Sequence, residues 1–199
     1  KTFAPGLYDL TELQRDANKR FGYSAKETLN IMQRLYESHK VLTYPRTDSR
    51  YITTDVADTL KERLKACSVG PYRKLAGSLS MRPIRKNASF VDNKKVTDHH
   101  AIIPTEQFVD LQTMTNEERK VYDLVVRRFL AVLLPAFEYD QTVFTGGLAG
   151  ESFTAKGKIV KSQGWKEAYE NLETDEEWEE ADDLAAAPKE QTLPSVKKG

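Results

Sequence analysis

The chain is 199 residues long, with 39 % hydrophobic and 30 % charged residues, a balance ordinary for a soluble protein that buries a core. Its one cysteine, Cys67, excludes an internal disulfide and a cysteine-rich zinc site, and no run of about 18 apolar residues is present to span a membrane. Net charge is zero, but residues 166–190 hold 11 acids against two bases, while residues 1–165 hold 26 bases against 19 acids; a basic body with an acidic appendage suits a polyanion-binding surface, or merely a mixed solvated one.

Residues 1–6 lack the charged-then-apolar layout of a secretory signal. They also begin at Lys1 rather than Met, so a piece of a longer cytoplasmic protein is expected. Asp9 or Thr11 can cap a short helix through Arg20, with Gly22 just past its end to stop it. Ser24 and Glu27 then form a capping box, opening a helix whose Leu29, Met32, Leu35 and Tyr36 share a face. The spacing of these two helices matches a helix-turn-helix and, equally, a plain helical hairpin. Pro45 forces Tyr44 into an extended conformation. Helix resumes near Asp55, capped by Thr53 or Thr54, with Val56, Leu60 and Leu64 on one side. A shorter helix follows Pro71. Residues 82–98 are polar and punctuated by Pro83 and Asn93, which predicts a mobile loop. Thr115 and Glu118 make a second capping box before the longest helix, which runs through Tyr122, Val125, Phe129 and Leu133 and stops before Pro135; being apolar nearly all round, it belongs in the core. Residues 137–148 and 152–160 alternate in character between glycines, the pattern of antiparallel strands. An acidic loop at about 171–188 and a last strand at 191–196 complete an α+β reading.

Chemistry concentrates at Thr43-Tyr44-Pro45-Arg46-Thr47-Asp48-Ser49. A phenol can attack a phosphodiester if its anion is favoured, and Arg46 supplies a fork-shaped cation two residues away. Thr47 and Ser49 offer hydroxyls to phosphate or to a helix start, and Asp48 can orient Arg46 or act as a cap. A simple turn with a half-buried tyrosine explains the same residues. A second cluster is Asp98-His99-His100-Ala101-Ile102-Ile103-Pro104-Thr105. With only His39 elsewhere, a histidine-rich zinc centre is disfavoured; an imidazole that donates to phosphate or moves a proton fits better, beside the plain alternative of two exposed rings.

These pieces occur together and in order. Residues 7–18, Phe21-Gly22-Tyr23-Ser24-Ala25, Gln33-Arg34-Leu35-Tyr36-Glu37 and Tyr44-Pro45-Arg46-Thr47-Asp48-Ser49 resemble the active-site region of type IA DNA topoisomerases, and the last motif resembles the topoisomerase III branch. His99-His100-Ala101-Ile102-Ile103-Pro104-Thr105 matches the family's His-x-Ala-Ile-x-Pro-Thr element. Leu134-Pro135-Ala136-Phe137 and Thr154-Ala155-Lys156-Gly157-Lys158 look like its return into an arch-shaped β domain.

The resemblance implies a helical domain over 1–134 with helix-turn-helix-like (winged-helix or CAP-like) packing, and a β segment over 135–199 that returns to the arch. It implies that Tyr44 attacks a phosphate of single-stranded DNA and stays on the 5′ phosphate, with Arg46 holding that phosphate and His99 assisting by hydrogen bonding. Thr47, Asp48, Ser49, Gln14, Arg15 and Ser24 are implied supporting or DNA-contacting residues, while His100 falls at the variable position and receives no role. The family's magnesium belongs to an acidic Toprim domain that has no counterpart motif here, so Mg2+ and the Toprim and arch domains are expected of the parent chain, and no metal of this segment. No Gly-Lys-Ser/Thr phosphate loop occurs and none is needed, because a phosphotyrosine diester conserves bond energy without ATP. A nucleoid-associated bacterial location and a helicase partner follow by the same likeness. The competing reading is a non-catalytic helix-turn-helix-like DNA-binding module.

Overall fold

The structure is a computed structural model that describes residues 1–170 apart from positions 85, 149 and 150. The acidic loop and the last strand expected beyond 170 lie outside the described residues. Helix α1 (Leu10–Phe21) is capped by Asp9, whose carboxylate accepts from Glu12 N at 2.7 Å. Gly22, at φ 71, ends it in the left-handed conformation. Helix α2 (Ala25–Glu37) begins with the reciprocal Ser24–Glu27 pair. Its buried face is Thr28, Ile31, Met32 and Leu35, not the expected set. Leu29 is half-buried and Tyr36 is 37 % exposed. The face is rotated because the Thr28 hydroxyl donates to Ser24 O at 3.0 Å within the helix, so a residue that reads as polar enters the core satisfied.

The helix expected near Asp55 is two helices, α3 (Thr54–Asp58) and α4 (Leu60–Ala66). At the break, the Thr59 hydroxyl donates to Val56 O and accepts from Arg63 Nε, both at 2.8 Å. A 3-10 turn containing Pro71 leads into α5 (Arg73–Ser80), which packs on α4. The stretch 82–98 is a loop, but an anchored one. Phe90 is buried, and Ile52 receives and returns backbone hydrogen bonds with Phe90 and Asp92 at 2.8 and 3.0 Å. One apolar pair, Phe90-Val91, is enough to pin an otherwise polar segment to the core.

Helix α6 (Asn116–Val132) starts at the Thr115–Glu118 box and is buried on most of its surface. It packs against both α1 and α2, so the α1–α2 corner becomes part of a three-helix cluster with Leu13, Met32, Leu35, Val121 and Val125 inside. Three charged groups of α6, Glu118, Arg127 and Arg128, are buried with it. Arg128 donates to Asp16 at 2.8 Å and to the Tyr8 hydroxyl at 3.1 Å, and Tyr8 donates to Asp16. Arg127 pairs with Asp123. Burial and the neighbouring Asp16 keep the Tyr8 phenol firmly protonated. Strands β1 (Glu138–Leu148) and β2 (Glu151–Ser162) form an antiparallel hairpin with Thr145 opposite Thr154. Its base is stitched to the body by the Thr2–Phe137 bridge and by the 3-10 turn Gly164–Tyr169, which packs on α6. Cys67 is buried, which pushes its thiol up to about 12 and keeps it inert. Among the described residues no helix is long and apolar enough to cross a membrane.

Candidate active site around Tyr44

Three chain segments meet edge to edge to build the site. Residues 101–105 lie between 41–43 on one side and Tyr8 and Tyr51 on the other. On the first side, Thr43 N donates to Ile103 O at 3.0 Å and Thr105 N to Val41 O at 3.0 Å, and Leu42 bridges Pro104. The Thr43 hydroxyl accepts from Ile103 N at 3.0 Å and donates to Ala101 O at 3.2 Å, filling a gap in the ladder with a side chain. On the second side, Ile102 N donates to Tyr8 O at 2.8 Å and Ala101 N to Tyr51 O at 2.9 Å. Ala101, Ile102 and Ile103 are all buried. Their apolar run therefore fixes where His99, just before it, must emerge.

Burial alternates along the tyrosine segment: Pro45, Thr47 and Ser49 are buried, whereas Arg46 and Asp48 are exposed and Tyr44 is half-buried. A period of two of this kind separates a face that holds the segment from a face that is offered to solvent. The holding face works through hydroxyls. Thr47 Oγ1 donates to His99 O at 2.9 Å and accepts from Ser49 N at 3.1 Å; Ser49 Oγ donates to Lys95 O at 2.7 Å and accepts from Tyr51 N at 3.1 Å. Leu10 N donates to Thr47 O at 3.0 Å, tying the segment to the start of α1. On the offered face, the Tyr44 ring lies against the His99 ring with centroids 4.2 Å apart and planes tilted by 35°. Tyr36 meets Tyr44 edge-on at 5.6 Å and 83°. Arg46 and Asp48 make no ion pair among the described residues.

The structure thus brings Tyr44, Arg46, Thr47, Asp48, Ser49 and His99 into one region. Gln14 and Ser24 lie at the α1–α2 corner, and Arg15 on the exposed side of α1. Gln14 Nε2 donates to Ala25 O at 2.9 Å, Ser24 caps α2, and the exposed Arg15 reaches Glu12 at 3.4 Å.

Sequence reasoning missed several supports. Arg50 closes the tyrosine segment onto α1 through Asp9 at 2.8 Å and Glu12 at 2.7 Å, and the Asp9 hydrogen bond holds its guanidinium charged. Buried Arg63 reaches across to Pro104 O at 2.8 Å and to Glu106 at 2.7 Å. A groove of about 610 Å³ opens beside Tyr44, with Tyr36, Glu37, Lys40, His100 and Thr105 among its walls. Burial lowers the His100 pKa, and its Nδ1 lies 2.8 Å from Ala101 O, so it enters the groove as a neutral imidazole. Only for Tyr36 was there a local signal, its place eight residues before Tyr44 on the exposed end of α2. Magnesium requires several converging oxygen donors, and among the described residues no group of three or more His, Cys, Asp or Glu is placed to hold a metal ion. These residues do not fit that cofactor.

A half-exposed phenol beside an imidazole, with a guanidinium and a carboxylate on the same outward face, can carry out transesterification at phosphorus. A family model described as DNA topoisomerase matches residues 1–199. The chain is 62 % identical over 199 residues to DNA topoisomerase 3 of Bacillus anthracis and 54 % identical to DNA topoisomerase 3 of Bacillus subtilis (strain 168). Each match takes in 100 % of this chain and 26 % of the relative, so the chain spans about a quarter of the length of the relatives it matches. Among solved structures, full-length topoisomerase I from Thermotoga maritima shares the fold with a TM-score of 0.61 at 24 % identity, over 85 % of this chain and 28 % of that one.

Proposed function

This chain belongs to the DNA topoisomerase family, and we propose that it carries the strand-cleaving tyrosine of a type IA enzyme of the topoisomerase III kind. Tyr44 Oη attacks the phosphorus of a single-stranded DNA phosphodiester. An Oη–P bond forms, the P–O3′ bond breaks, the phenol proton leaves to solvent or a neighbouring base, and the departing 3′ oxygen takes up a proton. The 5′ phosphate stays on Tyr44. Another strand passes through the gap, and the 3′ hydroxyl then reverses the exchange. One ester replaces another, so no ATP is consumed. Arg46 holds the scissile phosphate and stabilises charge in the transition state. His99 keeps the phenol ring in place by stacking and offers a ring N–H to a phosphate oxygen. Thr47 and Ser49 act from behind by holding the loop, and Asp48 orients Arg46 once DNA is bound.

The observation that carries this reading is the Tyr44–His99 contact, with the phenol half-exposed and Arg46 on the outward face. Residues 1–134 form the tyrosine-bearing helical domain and 135–199 the return to the arch. The remainder of the parent chain supplies Mg2+ from a Toprim domain. The parent acts on nucleoid DNA in the cytoplasm, with a helicase to open duplexes. The decisive measurement is covalent trapping of labelled single-stranded DNA by the parent protein. Tyr44→Phe removes one oxygen, so the adduct should vanish and strand passage fall by at least about 10⁴-fold, while single-strand affinity stays within about twofold. An adduct formed by the Tyr44→Phe protein would refute the assignment, and binding without any adduct in the unmodified parent would leave only a DNA-binding module.

A further inference from the structure

Lys40 is the only non-glycine residue with positive φ among the described residues, at φ 58. It follows the end of α2, where Val41 N closes on Leu35 O at 3.0 Å and the chain reverses into the segment that leads to Tyr44. Glycine is the residue that such a reversal ordinarily selects, because a Cβ is crowded there. The surroundings hold Lys40 in this conformation, with Thr105 Oγ1 donating to its carbonyl at 2.6 Å. A side chain kept where none is easily accommodated points to a use for that side chain.

The groove shows what the use is. Lys40 is the sole permanent cation among its lining residues. His100 is held neutral by burial, Glu37 is negative, and the C-terminal end of α2 adds the negative end of a helix dipole. Without Lys40 that wall would repel a phosphate chain. Lys40 also forms no ion pair among the described residues, so its charge is not consumed by Glu37. Beside it, Tyr36 presents an exposed aromatic ring against Tyr44, and a free cation next to an exposed ring is the combination that single-stranded nucleic acid uses for backbone and base.

We propose that Lys40 is a DNA-binding residue of this groove, contacting a backbone phosphate of the single strand next to the one that Tyr44 attacks. The proposal rests on the reading of Tyr44 given above and extends it to how the strand is seated. Lys40→Gly suits the test, because it removes the cation while giving the backbone the residue that its φ favours; Lys40→Asn, which also tolerates this region, is the second variant. In the intact parent protein both should bind single-stranded oligonucleotides roughly fivefold more weakly whatever their sequence. The slope of log affinity against log salt should lose about 0.7, the share of one phosphate on a single strand. The melting temperature of neither variant should fall. If both variants keep the parent's affinity and salt slope while the Tyr44 adduct still forms, the Lys40 assignment is wrong and the Tyr44 reading stands. Absence of the adduct in the unmodified parent would instead remove the reading beneath it.

Discussion

Glu118 is 3 % exposed yet fully partnered. Its carboxylate accepts from Thr115 N at 2.9 Å, Arg34 Nε at 2.7 Å and His39 Nε2 at 3.1 Å. Burial alone would raise its pKa, but the Thr115 amide and the Arg34 and His39 side chains outweigh it, and the net shift is downward from 4.5. A depressed carboxyl stabilises the fold above its unfolded pKa, and that contribution is lost as pH falls through the folded value. Glu118→Gln should therefore lower stability at neutral pH by about 1–3 kcal/mol and flatten the acid limb below about pH 4.5, as read by urea unfolding from pH 3 to 7. An unchanged acid limb would show that Glu118 is not the titrating group. The cap itself was legible in Thr115-x-x-Glu118, because its two partners stand three positions apart. Its partners were not, since nothing local to Glu118 announces side chains from positions 34 and 39. The same contrast holds at the site: Tyr44, Arg46 and His99 could be named from motif and chemistry, whereas Arg50, Arg63 and Lys40 act through distant partners or a backbone angle.

At the level of elements, turns decide more than helices do. Gly164 sits at φ 50, and a Cβ there would lie 2.2 Å from Ala136 O and 2.6 Å from Pro135 O. Both are backbone atoms that cannot step aside, and Trp165 N already donates to Pro135 O at 2.8 Å. Gly22, at φ 71, faces open space. Gly164→Ala should thus cost more than about 3 kcal/mol and Gly22→Ala only about 1 kcal/mol, compared by thermal unfolding; equal losses would contradict the packing at the hairpin base. Helix starts were readable because Asp9, Ser24 and Thr115 satisfy their own helix ends. The buried face of α2 was not, because a threonine that bonds to its own helix cannot be told from a solvated one by periodicity. Nor was the break at Thr59, which depends on Arg63 reaching back, or the anchoring of the 82–98 loop through Phe90.

For the whole molecule, two regions of unequal security emerge. The helical body encloses the core, while the β1–β2 hairpin leaves Val143, Phe144, Phe153 and Ile159 about half exposed, and two strands alone are marginal in water. Backbone amides of residues 141–147 and 152–156 should exchange at least about tenfold faster than those of α6 in this chain alone and become protected in the parent protein. Equal protection in both would mean that nothing in the parent covers the hairpin. The body has its own dependence on order. His99 stands 55 positions after Tyr44, and the segment that places it must slot between Tyr8 and residues 41–43, a set of non-local closures. A nascent chain still short of residue 105 thus exposes its phenol with no imidazole against it. Ribosomal output alone thus sets when the Tyr44 ring can gain its neighbour from position 99.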